Sequence, residues 1–156
     1  MRIFWKFPLS VLLLSAPLLA GSMFLEIGKP ANPEAAAKGA VLVTRITACH
    51  SPEKTVFSAT AEGLTKSGRQ SVPLKLISLS SPDTFGIARE WPESGEWVVK
   101  IVATNPEYKN YATGVLIPIE NGSFEWAAVK HYYGHGPTNA DADALLGTKS
   151  GDLKPQ

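Results

Sequence analysis

The chain of 156 residues contains one cysteine, Cys49, so no disulfide can form within it and its stability must come from apolar packing. A lone cysteine is a buried small hydrophobe, a free thiol or an intermolecular partner, and the sequence leaves these three open. The length suits one domain with a real core and is too short for two.

An excess of charge of either sign is also missing. Lys and Arg number 15 against 14 Asp and Glu, which gives a formal net charge of +1. Loss of residues 1–20 would remove Arg2 and Lys6 and no acid, so the net charge would become −1. A nearly neutral chain lacks the excess of positive charge that attracts nucleic acid or anionic lipid. We therefore expect no nucleic-acid partner.

Catalytic motifs are absent as well. There is no G-x-S-x-G, no H-E-x-x-H and no glycine-rich phosphate loop. Four acids lie near aromatic residues, as carboxylates do in glycosidases: Glu62, Glu90, Glu93 and Glu96. A small β-sandwich seldom supplies the deep cleft that such a pair needs, and we expect these acids to carry solvated charge at turns. The sequence therefore predicts neither an enzyme nor a cofactor.

What is present begins with a secretory signal. Arg2 and Lys6 precede an apolar run over residues 7–20, and small residues follow. This order is typical of a cleaved signal peptide, with Ala20 as the favoured cleavage point. The alternative is an uncleaved anchor, because apolar character continues weakly over residues 23–27, and only then would the chain contact a membrane. We expect a periplasmic or secreted protein.

The sequence after the signal predicts a series of strands separated by turns. Residues 40–49 are rich in β-branched side chains, and residues 55–64 alternate between apolar and polar, so each segment predicts a strand. Pro73 confines the next strand to an edge or a bulge.

The Asn-Gly pair at 121–122 is the strongest short hairpin signal in the chain. A two-residue turn there sets a register in which apolar residues face each other across the hairpin. Ile117 then faces Trp126 on the core side, and His131 faces Ala112 on the less apolar side.

Residues 84–104 leave two arrangements open. A hairpin with a loop over residues 92–96 would put Trp91 across from Trp97. Arg89 would then lie among apolar neighbours, where its guanidinium could stack on a tryptophan. In the alternative, the link crosses between two sheets, as it does in many sandwiches.

Short strands without a long amphipathic helix predict an all-β fold, an antiparallel immunoglobulin-like β-sandwich of about seven strands behind an N-terminal signal segment. The predicted divisions are a signal at residues 1–20, a linker with a helical turn at 21–39, the sandwich at 40–136 and a tail with a short helix at 137–156. Helix signals in these flanks are Asn32, Pro33 and Gly39 in the linker, and Thr138 or Asn139 as cap with Gly147 as terminator in the tail.

The run ACHSPEKTVFSATAEGLTKSGRQSVPLKL, followed by REWPESGEWVVKIVA, resembles a family of exported bacterial immunoglobulin-like domains. Its P-x-x-G-x-W-x-V element is similar to a corner of carboxypeptidase regulatory-like and YtkA-type domains. The resemblance covers roughly residues 40–120 and implies a fold and a compartment, but no activity. Some YtkA-type domains handle metal; this chain departs from a methionine-rich copper pattern, since Met1 and Met23 are its only methionines.

The three histidines raise the question of a metal site. In an extended strand His131 and His135 would lie about 13 Å apart at ~3.3 Å per residue, whereas two imidazole nitrogens on one ion each lie ~2.0–2.1 Å from it. Only a chain reversal at Gly134 could bring the two rings together. The expected state is no metal, and the alternative is a Cu or Zn site of His50, His131 and His135 with Cys49 as a thiolate ligand.

Function is the least determined property. The sequence favours a non-catalytic exported structural or protein-interaction module of the bacterial envelope, whose partner is another envelope or extracellular protein. The alternative is a periplasmic domain that binds metal or carbohydrate. A carbohydrate site would need Trp91, Trp97, Tyr132 and Tyr133 to form a solvent-facing platform.

We predict export with cleavage after Ala20, because the charged start and the apolar run have the order of a signal peptide. The intact mass of protein recovered from the cell envelope measures this directly. A full-length chain in the cytosol would contradict it.

Overall fold

The computed structural model describes residues 23–150 of the chain. The predicted signal at residues 1–20 lies outside the described residues. Within residues 23–150 no helix is long and apolar enough to cross a membrane.

The described chain consists of strands with two α-helices and two 3₁₀ turns. The strands are β1 (Phe24–Gly28), β2 (Ala40–Thr47), β3 (Val56–Thr65), β4 (Gly68–Pro73), β5 (Leu76–Ser78), β6 (Thr84–Ala88), β7 (Glu96–Thr104), β8 (Ala112–Glu120), β9 (Ser123–Phe124) and β10 (Lys130–Tyr133). The helices are α1 (Pro33–Ala37) and α2 (Asn139–Ser150), and the 3₁₀ turns are Pro52–Lys54 and Trp126–Ala128.

Two antiparallel sheets face each other, so the predicted all-β sandwich is confirmed. One sheet has the order β1-β2-β6-β5, and the other has the order β10-β8-β7-β3-β4 with β9 paired to β8. The first corresponds to strands A-B-E-D of the immunoglobulin fold. In the second, β8-β7-β3-β4 corresponds to G-F-C-C′, and β10 lies outside strand G. The described chain has ten strands rather than about seven, because β1 is additional and two predicted strands each divide in two, one into β4 and β5 and the other into β9 and β10.

The core between the sheets is centred on Trp97, which is 1% exposed. Its indole lies against the backbone of Gly63 on the neighbouring strand β3, where a Cβ atom would be 2.4 Å from Trp97 Cε3. The indole Nε1 donates a hydrogen bond of 2.9 Å to the carbonyl oxygen of Ser94. Any residue larger than glycine at position 63 would displace this ring.

The segment predicted as a linker, residues 21–39, contributes to the core. Residues 24–28 form strand β1, which pairs with β2 along its whole length. Met23 is fully buried and Leu25 is 3% exposed. The alternation of buried and exposed residues over β1 is only five residues long, which is why it was not recognisable beside the signal.

Both predicted helices are present. Asn32 caps α1, since its side-chain oxygen accepts hydrogen bonds from Glu34 N at 2.6 Å and Ala35 N at 3.4 Å. In the tail, Thr138 caps α2 by accepting from Asp141 N at 3.2 Å. The helix α2 runs through Gly147 to Ser150, so the prediction that Gly147 ends it was wrong.

The link from β6 to β7 crosses between the sheets. β6 pairs with β2 and β5 in one sheet, whereas β7 pairs with β3 and β8 in the other. The hairpin interpretation, with Trp91 across from Trp97, is therefore wrong, and the crossing is right. The stacking of Arg89 on a tryptophan was expected from that hairpin, yet it occurs without it: the guanidinium carbon lies 5.9 Å from the centre of the Trp91 ring.

The hairpin at Asn121-Gly122 forms with the predicted register for its first two pairs only. Glu125 N then donates to Pro118 O at 2.9 Å, but Pro118 has no N–H to return the bond. The chain leaves the ladder in the 3₁₀ turn that contains Trp126 and rejoins β8 three residues out of register. His131 consequently faces Val115 rather than Ala112.

Helix α2 covers the outer face of the larger sheet. A second apolar cluster forms there from Val98 and Leu116 on the sheet and Ala142 and Leu146 on the helix, each at most 4% exposed. Tyr132 packs against the same cluster.

A buried carboxylate lies beside this cluster. Glu62 is 3% exposed, so the expectation that it carries solvated charge at a turn was wrong. Lys100 Nζ at 3.2 Å and Arg69 Nη2 at 3.1 Å pair with it. Both cations also reach α2, Lys100 through Asn139 at 2.7 Å and Arg69 through Asp143. The helix is therefore bound to the sheet by polar as well as apolar contacts.

We predict that Trp97→Ala lowers the free energy of unfolding by about 3–5 kcal/mol, because it leaves a cavity at the centre of the core. Gly63→Ala should cost about 1–3 kcal/mol through overpacking against the same ring. Urea unfolding measures both. Gly28→Ala is the matched control, since a Cβ atom there meets nothing within 4 Å. Equal effects of the two glycine substitutions would contradict the proposed contact.

Glu62 predicts a pH dependence of stability. Burial acts to raise its pKa, but hydrogen bonds from Thr60, Lys100 and Ser71 and the charge of Lys100 outweigh burial and hold the pKa below the ordinary 4.5. A lowered folded pKa stabilises the fold above pH 4.5, and that stability is lost as the pH falls through the folded pKa.

We therefore expect Glu62→Gln to lower the free energy of unfolding at pH 7 by about 3–5 kcal/mol, because Lys100 loses its buried partner. The difference from the wild type should shrink as the pH falls below 4.5. Denaturant unfolding at several pH values measures it, with the exposed Glu53→Gln as control. A difference that stays constant with pH would rule out this role.

Candidate functional site

One end of the sandwich is formed by the connections at residues 48–55, 105–111 and 134–137, which we call the loop end. The first two connections follow β2 and β7, and the third follows β10. They meet because Val56 pairs with Thr104 across β3 and β7, and because β10 runs beside β8.

Asn105 holds two of these connections together. It is 2% exposed, and its side-chain nitrogen donates to Ser51 O at 2.8 Å and lies 3.4 Å from both Cys49 Sγ and Thr55 Oγ1. Its side-chain oxygen accepts from Glu107 N at 3.0 Å. A buried amide with every polar atom satisfied fixes the relative position of the two loops.

Two further contacts join the same loops at the surface. Lys54 pairs with Glu107, and the hydrogen bond from Lys54 is the main cause that lowers the pKa of Glu107. The backbone N–H of His50 donates to Tyr108 Oη at 3.2 Å. The loop end is therefore an ordered surface rather than a set of independent loops.

A groove of about 560 Å³ lies beside these contacts. Tyr108, Tyr111 and His135 supply its aromatic lining, and Val56 supplies an aliphatic wall. The two tyrosine rings lie 6.5 Å apart, between centres. This lining offers apolar surface, hydroxyl groups and an imidazole at one place.

Exposed hydrophobic side chains gather at the same end. Among the described residues the large exposed hydrophobics are Val56 at 60%, Tyr133 at 53%, Phe24 at 40% and Leu64 at 39%. The first three lie at the loop end, where Phe24 and Tyr133 meet edge to face with ring centres 5.6 Å apart. Leu64 lies at the opposite end of β3.

The structure does not gather the alternative metal ligands. His131 stacks on Tyr133 with ring centres 6.2 Å apart, whereas His135 contacts Tyr132 at 5.7 Å on the other side of the strand. Gly134 does take a positive φ of 83°, but the turn directs His135 away from His131. No group of three or more His, Cys, Asp or Glu residues that could hold a metal ion occurs within residues 23–150.

The fourth alternative ligand, Cys49, is half-buried at the loop end. Its Sγ accepts from the Asn105 amide and lies 3.9 Å from Thr55 Oγ1. His50, the next residue, is exposed to solvent. The thiol is thus part of the packing between the two loops.

The predicted aromatic platform does not form. Trp91 is 5% exposed and Trp97 is 1% exposed, so both are core residues. Tyr132 is half-buried under α2, and of the four only Tyr133 faces solvent. The alternation of apolar residues along β7 indicates burial of Trp97, whereas nothing local to Trp91 reveals its contact with Phe124 at 5.9 Å.

Sequence reasoning missed the residues that build the groove. Tyr108 and Tyr111 lie in a turn-rich segment without periodicity, and Asn105 resembles any loop asparagine. The one pattern that could have pointed to the groove is N-P-x-Y-x-x-Y directly after a strongly apolar strand. It does not predict a groove by itself, because Asn105 and Tyr108 are held in place by residues 48–55, which are distant in sequence.

Comparison with protein-family models, with curated proteins and with solved structures found no match for this chain. The resemblance to exported immunoglobulin-like domains therefore stays a prediction, and the fold assignment rests on the strand order.

We predict that the domain binds no Cu or Zn ion with high affinity, because His131 and His135 lie on opposite sides of β10. Thermal unfolding with and without each metal at neutral pH measures this. Binding at a ligand concentration about 100 times the dissociation constant would add ~2.7 kcal/mol of stability. A shift of that size in the wild type, abolished in His135→Ala, would contradict the prediction.

Proposed function

We propose that this chain is a non-catalytic protein-interaction module, exported to the bacterial envelope, that binds another envelope or extracellular protein through its loop end. The single observation that carries the proposal is the clustering of Phe24, Val56 and Tyr133, three of the four large exposed hydrophobics of the described residues, at that end.

The chemistry of the surface supports a protein ligand. Tyrosine is enriched in protein interfaces, where it combines apolar area with a polar tip at small cost in side-chain entropy. The loop end presents Tyr108, Tyr111 and Tyr133 with His135 nearby. The groove of about 560 Å³ beside these tyrosines has room for a projecting segment of a partner.

The rigidity of the surface supports it further. Asn105 and the Lys54–Glu107 pair connect the loops in the free protein, so little conformational freedom remains to be lost on binding. In immunoglobulin-like domains the connections at one end of the sandwich commonly carry binding. Export is supported by the signal-like start of the chain.

Strand β3 provides a matched pair of variants for the test. Val56→Lys places a charge at the loop end, and Leu64→Lys places the same charge on an exposed hydrophobic at the far end of the same strand. Truncation of a central interface anchor typically costs more than ~1–2 kcal/mol, about tenfold or more in the dissociation constant.

We expect a specific protein to be cross-linked to the wild type in the envelope of the native cell. Quantitative mass spectrometry should find it about tenfold depleted with Val56→Lys and unchanged with Leu64→Lys. A circular dichroism melt controls for folding of each variant. Equal recovery with both variants, or no protein specific to the wild type, would refute the proposal.

A further inference from the structure

A cleft of about 330 Å³ lies on the outer face of the smaller sheet and shares no lining residue with the groove at the loop end. Val43 and Leu79 give it a half-buried apolar floor. Lys29, Asn32 and Ser81 are among the residues of its wall. Its volume lies near the lower limit of small-ligand sites, which range over roughly 300–1,000 Å³.

The wall of the cleft is a fixed part of the fold. Glu34 on α1 accepts from Ser80 N at 3.0 Å, and Lys38 donates to Ser78 O at 2.9 Å. The hydrogen bond from Lys38, with those from Ser80, lowers the pKa of Glu34 to about 2. The segment that precedes α1 and the link from β5 to β6 are therefore held together over the floor.

The residues that line the cleft carry a net positive charge. Arg45 pairs with Glu26 through its Nε at 2.6 Å, so its two Nη groups keep their donors. Neither these groups nor Lys29 has a hydrogen-bond or ion-pair partner among the described residues. Because Lys29 and Arg45 are cations and Glu26 is the one anion in the lining, the cleft has an excess of one positive charge around its apolar floor.

We propose that this cleft binds a small organic acid, one carboxylate on a compact apolar body. The guanidinium of Arg45 suits a carboxylate, which it can hold with two parallel hydrogen bonds. The apolar floor favours a ligand with a hydrocarbon part over inorganic phosphate. The site is separate from the loop end, so the proposal does not depend on the protein-interaction function.

Gly28 gives a direct way to close the cleft. It lines the site, and a Cβ atom built on it meets nothing within 4 Å. Gly28→Leu should therefore fill the space without a clash in the fold. Gly147→Leu is the matched control, because position 147 is equally open and lies on α2. Arg45→Gln removes the carboxylate partner and leaves the space unchanged.

The experiment is an NMR titration of the isolated protein with hexanoate, and with hexanol as the uncharged counterpart. Hexanoate should shift the amide resonances of Gly28, Val43 and Leu79 saturably, with a dissociation constant on the order of 1 mM. Gly28→Leu should abolish binding, Arg45→Gln should weaken it about tenfold or more, and Gly147→Leu should leave it unchanged.

Three outcomes would overturn the proposal. They are the absence of a saturable shift in the wild type, equal binding of hexanol and hexanoate, and binding that survives Arg45→Gln at full strength. The spectrum of each variant also reports its fold. If Gly28→Leu fails to fold, the Arg45→Gln titration and the hexanol comparison still decide between support and refutation.

Discussion

The contact between the Trp97 ring and the backbone of Gly63 is the constraint on which the rest of the sandwich depends. The ring fills the space that a side chain at position 63 would need, so the register that β3 and β7 adopt, with Gly63 opposite Trp97, requires glycine at that position. Because β7 also pairs with β8, that register extends across the larger sheet. The hydrogen bond from the indole to Ser94 O then fixes the crossing segment that leads from the smaller sheet.

The two outer faces of the sandwich are covered to different extents. On the larger sheet, α2 buries Val98 and Leu116, and the charge of Glu62 is matched by cations that also bind the helix. Desolvation makes a buried carboxylate costly unless its hydrogen bonds are complete, and Thr60 on the same strand and Ser71 on β4 donate to it. On the smaller sheet only the short α1 region covers part of the face, which leaves the cleft beside Arg45. Of the two outer faces, the one without a long covering helix therefore carries the cleft.

Much of the fold was predictable because it is encoded locally. The Asn32 cap, the Asn121-Gly122 turn and the edge position of the Pro73 strand each follow from short patterns, and the structure has all three. The failures involve partners distant in sequence. The exception is Pro118, which faces Glu125 within one hairpin and lacks the N–H that would continue the ladder. The burial of Glu62, by contrast, depends on its pairing with Lys100 on β7, which lies far away in the sequence. For the same reason the candidate site was not predictable: the groove needs Tyr108 and Val56 together, and the strand pairing that joins them is not visible in either segment.

The loop end also shows why a small sandwich can keep hydrophobic groups at its surface. Asn105 binds residues 48–55 to the turn after β7 from within, so these loops need no apolar core of their own. Phe24, Val56 and Tyr133 are then free of any packing role that would bury them, and each lies at or beside a strand end whose backbone is already paired. Stability and surface chemistry are therefore separated: the first depends on Trp97 and the buried strands, the second on side chains that can be changed with little effect on the fold. That separation makes a charge at Val56 a test of binding, whereas a change at Trp97 tests only folding.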